Sequence, residues 1–142
     1  GDDCIAWIGG DALSNLPQFA GRVRKLSSPF EIVGHLKADL RAVILDACVS
    51  GAAPGTIVHL TEHDLDRILP GLRSSHGGSL KEALDLARSL GRWPKSLDVF
   101  AVEIHPGSAP AEECSPELLI AGERLQAQLC AGLSQARDAP TA

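Results

Sequence analysis

Apolar and polar residues along this chain follow two different periods, and the period switches several times between its ends. From Cys4 to Leu16 the apolar positions Ile5, Ile8, Ala12, Leu13 and Leu16 recur at helical spacing, which lines one face of a helix. Gly9 and Gly10 weaken that helix, and Pro17 closes it. Arg22 to Leu26 reads as a short strand. Pro29 then opens a helix with Ile32, Val33, Leu36 and Leu40 on its apolar side, since proline in the first turn gives up no helical hydrogen bond.

Ala42-Val43-Ile44-Leu45 is an unbroken apolar run that ends at Asp46. A run with no polar face predicts a strand covered on both sides, as in a parallel sheet. Residues 51 to 55 form a loop, and the β-branched stretch Thr56-Ile57-Val58-His59-Leu60 predicts another strand. Thr61 caps a short helix from Glu62 to Leu69, which Pro70-Gly71 ends. Ser79 and Glu82 have capping-box spacing. The helix behind them carries Leu80, Ala83, Leu84, Ala87 and Leu90, with Gly91 as its stop. Leu97 to Ile104 predicts a further buried strand, and 106–114 a loop. Ser115-Pro116 starts the last helix, whose stripe is Leu118, Gly122, Leu125, Leu129 and Leu133. Strands alternating with helices predict an α/β chain, a three-layer α/β/α sandwich around a mostly parallel twisted sheet.

The length, 142 residues, suits one domain over 1–137. Residues 138–142, Asp-Ala-Pro-Thr-Ala, have nothing to bury and are expected to fray. The net charge is -5 and Lys and Arg never run beyond a pair, whereas a nucleic-acid binder needs a basic stripe to displace counterions. Nucleic acid is therefore excluded as a partner. No apolar stretch reaches the roughly 20 residues that cross a bilayer, and no signal peptide is evident, so a cytoplasmic location is expected. Cys4, Cys48, Cys114 and Cys130 form no C-x-x-C pair, which predicts reduced, mostly buried thiols rather than a zinc knuckle or redox motif.

Candidate chemistry gathers at one rim. In an open α/β sheet, ligands bind beyond the carboxyl ends of the strands. Asp46 follows a strand, His76 precedes a helix in Ser74-Ser75-His76-Gly77-Gly78, and Asp2 and Asp3 precede the first helix. Carboxylates and an imidazole from three separate segments can hold a borderline divalent metal such as nickel or zinc. Each residue alone has a plainer explanation: helix N-terminal acids, a turn Asp, a solvated loop His. Cys4 and Cys48 stand beside Asp3 and Asp46 and could lend a sulfur ligand, although a Cys beside a strand end is more often packed. His59-Leu60-Thr61-Glu62-His63 matches H-x-x-E-H. That motif needs both His on one helical face, and here His59 ends a strand, so it is set aside. The phosphate-loop, dinucleotide and nucleophile-elbow motifs are absent from the sequence, which argues against the usual forms of an unrelated hydrolase or phosphate-handling domain.

Gly1-Asp2-Asp3 before a helix, Val43-Ile44-Leu45-Asp46-Ala47 followed by Pro54-Gly55-Thr56, Ser75-His76 before a Leu-rich helix, and Cys114-Ser115-Pro116-Glu117-Leu118 before the last helix resemble the hydrogenase maturation protease family. The ordered set, running from Gly1 to about Leu133, carries the resemblance. It implies an endopeptidase that removes the C-terminal extension of a nickel-iron hydrogenase large-subunit precursor, with Asp3, Asp46 and His76 as both metal-binding and catalytic residues. The nickel it implies arrives with the precursor, so the resting enzyme need not hold its own. Either the nickel activates water or the scissile carbonyl, or it docks the precursor while Asp3 or Asp46 acts as general base; the second is favoured. The family opens with a hydrophobic strand and a Gly-Asn turn, so the resemblance also implies a missing first strand before Gly1. Cys4 and Ala6 stand where the family often has glycines, and Leu26-Ser27-Ser28 where many members have Asp-Gly-Gly. A degenerate, non-cleaving module that binds the metallated precursor is the alternative.

Overall fold

The computed structural model describes residues 14, 17–19, 21–68, 73–74, 80–104 and 116–138. Among them four strands, β1 (Arg41–Val49), β2 (Ile57–Leu60), β3 (Arg73–Ser74) and β4 (Ser96–Glu103), form a sheet in the order β2-β4-β1-β3. β1 and β4 run parallel from Arg41↔Ser96 to Cys48↔Glu103. β2 is antiparallel to β4 and β3 is antiparallel to β1. The chain is thus α/β, but the sheet is mixed where the apolar runs predicted a mostly parallel one. Connection length is the reason. A parallel return needs a crossover of a dozen or more residues, and only residues 50–56 separate β1 from β2.

Alternate residues of the sheet feed two cores. Leu45, Ala47 and Val49 of β1 and Phe100, Val102 and Ile104 pack with Ala121, Leu125 and Leu129 of α4 (Pro116–Asp138). On the other face, Ala42, Ile44, Leu97 and Val99 pack with Val33 of α1 (Ile32–His35), Leu65 of α2 (Glu62–Ile68), and Leu80, Leu84 and Ala87 of α3 (Leu80–Ser89). β4, between two strands, is buried nearly throughout. β1 is not: Val43 is 38% exposed, against the expectation of cover on both faces. Among the described residues β3 pairs only with Cys48 and Val49, at the carboxyl end of β1.

Local chemistry sets the helix ends. Ser28 and Glu31 form a capping box around the 3-10 turn Pro29–Glu31 that leads into α1. α1 stops at Leu36, whose backbone is extended, well before the predicted Leu40; the Arg92 guanidinium binds the Gly34 and Leu36 carbonyls there. Arg22 to Leu26 forms no strand; Arg24 instead donates to the carbonyls of Gly21 and Val23. Thr61 caps α2, with its N–H and hydroxyl both donating to the Asp64 carboxylate. Gly91 ends α3 at φ +69°, and the N–H groups of Gly91 and Arg92 close on the carbonyls of Arg88 and Ala87. Of the helix predicted from Cys4 to Leu16 only Ser14 is described, and it is helical; the capping residue Ser79 lies outside the described residues. No described helix is long and apolar enough to cross a membrane.

Candidate active site

Asp46 lies inside β1 rather than at its end, because the strand runs three residues further, to Val49. It pairs with Ala101 of β4, and Cys48 pairs with Glu103. Side chains two apart on a strand share a face, and so do directly paired residues. Ala42 and Ile44 belong to the core beneath α1, α2 and α3. Asp46, Cys48 and Glu103 therefore stand on that same face, in a row towards the carboxyl end of the parallel pair. Asp46 is half-buried, and one of its carboxylate oxygens accepts the Ala47 N–H at 2.9 Å.

Beyond Asp46 the row is closed. Cys48 is 3% exposed, and its Sγ contacts Glu103 Oε2 at 3.5 Å as donor. Burial first, then the neighbouring Glu103 charge and this hydrogen bond, then the Asp46 charge, push the Cys48 thiol up to about 12. It is held as a packed thiol and not as a ready sulfur ligand. Cys130 is likewise outside any disulfide, and it is partly buried. Cys4 and Cys114 lie outside the described residues.

Glu103 was not singled out by the sequence pattern. Its carboxylate accepts the Ser50 N–H at 2.7 Å, the Ser50 hydroxyl at 2.6 Å and the Gly51 N–H at 3.1 Å, besides the Cys48 thiol. Burial alone would raise its pKa, but the bonds from Ser50, Gly51 and Cys48 outweigh it and hold the carboxyl below the ordinary range. The one signal in the sequence is a charge at the end of the apolar run Val99-Phe100-Ala101-Val102.

Asp3 and His76, the other two candidate ligands, lie outside the described residues, as does Asp2. Among the described residues no three His, Cys, Asp or Glu side chains gather closely enough to hold a metal ion. The H-x-x-E-H match is not a metal site. His59 sits on β2, stacked on Phe100 at 4.3 Å between ring centroids, with Nε2 2.7 Å from Asp98 Oδ1. His63 is on α2.

Among solved structures, the chain is similar to the hydrogenase maturating endopeptidase HybD from E. coli, at 26% identity and a TM-score of 0.75, covering 95% of this chain and 85% of that one. A second, an endopeptidase from Escherichia coli solved in solution, gives 25% identity and a TM-score of 0.78 over the same shares. The HybD [NiFe] hydrogenase maturation protease from Thermococcus kodakarensis, at 22% identity, shares the fold with a TM-score of 0.69 over 93% of this chain and 89% of its own. No protein-family model and no curated protein matches the chain.

Proposed function

We propose that the chain, whose fold resembles that of a hydrogenase maturating endopeptidase over 95% of its length, is a hydrogenase maturation protease: an endopeptidase that removes the C-terminal extension of a nickel-loaded hydrogenase large-subunit precursor in the cytoplasm. Asp3, Asp46 and His76 would close on the precursor's nickel. The observation that carries this is the place of Asp46: it stands half-buried towards the carboxyl end of the parallel pair β1 and β4, on the sheet face that α3 covers. Ligands of an open α/β sheet bind beyond that end of the strands. Asp3 and His76 join the set through the family resemblance.

Two carboxylates and an imidazole suit a borderline divalent ion such as nickel. In this proposal the nickel is part of the substrate, and its capture makes cleavage a checkpoint: a precursor without metal offers these side chains nothing to bind. The ligands bring the scissile peptide into the site, and Asp3 or Asp46 takes the proton of the attacking water as general base. The two core clusters on opposite sheet faces support reading the fold as a three-layer α/β/α sandwich around its mixed sheet.

Mass spectrometry of nickel-loaded precursor incubated with the protein tests this reading. The precursor is expected to lose its extension, and Asp46→Ala or His76→Ala to slow the reaction about 100-fold or more. Normal processing by His76→Ala would remove that residue from the site. Precursor that is retained by the wild-type protein but never shortened would make the chain a binding module instead.

A further inference from the structure

Glu103 is buried to 1% exposure, the one charged side chain so enclosed among the described residues, and the cleavage chemistry above does not use it. We propose that Glu103 is a positioning residue: it clamps both ends of the loop that follows β1 and thereby fixes the carboxyl-terminal half of the strand, which carries Asp46. The inference rests on the reading of Asp46 as a site residue.

The side chain holds the start of the loop and the backbone holds its end. Oε1 accepts from the N–H groups of Ser50 and Gly51, at 2.7 and 3.1 Å, and Oε2 from the Ser50 hydroxyl at 2.6 Å and the Cys48 thiol at 3.5 Å. The Glu103 carbonyl accepts the Gly55 N–H at 2.8 Å, and the Glu103 N–H donates to the Thr56 carbonyl at 2.9 Å. The loop is braced from a third side. Gly55, at φ +90°, packs so closely that an added Cβ would lie 3.0 Å from the Glu117 carbonyl of α4.

A buried carboxylate is costly unless its oxygens are fully bonded. Elsewhere on this face of β4 the side chains are Leu97, Val99 and Ala101, so packing alone calls for an apolar residue here. What Glu103 supplies that they cannot is a pair of acceptors aimed at the backbone of the turn. The loop's outward residues, Ala52 and Ala53, are exposed and uncharged; the loop therefore contributes shape to the rim, not charge. With its ends tied to β4, the position of Ser50 relative to Asp46 is set before a substrate arrives. Displacements on the order of 1 Å at a reacting centre can cost about 100-fold in rate.

Steady-state cleavage of the nickel-loaded precursor by Glu103→Ala, Glu103→Gln, Ser50→Ala and Asp46→Ala tests the clamp, each variant checked for folding by circular dichroism. Folded Glu103→Ala is expected to lose about 10- to 100-fold in kcat with KM within about threefold. Glu103→Gln keeps a carbonyl for the two N–H groups and an amide to donate to the Ser50 hydroxyl, and is expected to restore kcat to within about threefold of wild type. Ser50→Ala, which removes one of the four donors, is expected to lose about threefold in kcat, of the order of one ordinary hydrogen bond. Wild-type kcat in Glu103→Ala overturns the proposal, as does wild-type kcat in Ser50→Ala should Glu103→Ala not fold. Glu103→Gln as impaired as Glu103→Ala also overturns it, since charge and not placement would then matter. Asp46→Ala separates the two levels: normal cleavage by that variant sinks the site reading itself, whereas an inactive Asp46→Ala beside a fully active Glu103→Ala sinks the clamp alone.

Discussion

Cys48 and Glu103 show how two residues of one row acquire opposite properties from the same enclosure. The thiol has one weak donor to offer and an anion beside it, so burial and the Glu103 charge raise it to about 12. The carboxylate collects N–H, O–H and S–H donors, which overcome burial and lower it. A thiolate is the species that alkylates. Cys48 is therefore expected to resist iodoacetamide at pH 8 in the folded protein and to react once urea unfolds it; mass mapping that finds Cys48 modified as fast in the native state would contradict this. The Glu103 carboxyl also makes stability depend on pH. Its folded pKa is below its unfolded value, so its contribution is full above the ordinary carboxylate range, about 4.3, and is lost as pH falls through the depressed value. Urea midpoints of wild type should then decline more steeply below about pH 4.5 than those of Glu103→Gln; parallel curves would show that the carboxyl does not matter. Neither property is written in the local sequence. Cys48-Val49-Ser50-Gly51 and Glu103 are separated by about fifty residues, and only the parallel register brings them together.

At the scale of elements, what periodicity and capping chemistry specify was legible, and what pairing specifies was not. The α3 helix, its Gly91 stop and the buried β4 follow from helical spacing, from glycine's tolerance of positive φ and from an unbroken apolar run. The predicted strand at Arg22–Leu26 failed because three of its five residues are charged and its neighbouring carbonyls bind Arg24. α1 was predicted too long because the Arg92 bonds that finish it come from a distant segment. Two substitutions probe this level. Ser28→Ala removes the hydroxyl that accepts the Phe30 N–H at 3.3 Å and is expected to cost about 1 kcal/mol, read as a fall in Tm of about 4 °C. Leu125→Ala empties a fully buried position of α4 and is expected to cost about 2–5 kcal/mol in urea unfolding. A loss under about 1 kcal/mol at Leu125 would mean that α4 is not held by that core.

For the molecule as a whole, the α/β class and the likeness to hydrogenase maturation proteases were both readable in the order of its segments, and solved structures covering 95% of the chain agree. The mixed sheet was not readable, because strand direction depends on connection length and pairing order rather than on apolar pattern. Of the candidate ligands, Asp46 is placed, on the face that α3 covers; Asp3 and His76 fall outside the described residues. The account as a whole depends on those three meeting around one ion. Crystals of the protein soaked with nickel and recorded at the nickel absorption edge measure this directly. The account predicts one anomalous peak bounded by carboxylate oxygens of Asp3 and Asp46 and a ring nitrogen of His76, each about 2.0–2.2 Å away, as for similar first-row sites. A nickel peak elsewhere, or Asp46 and His76 on opposite faces of the sheet, would contradict it.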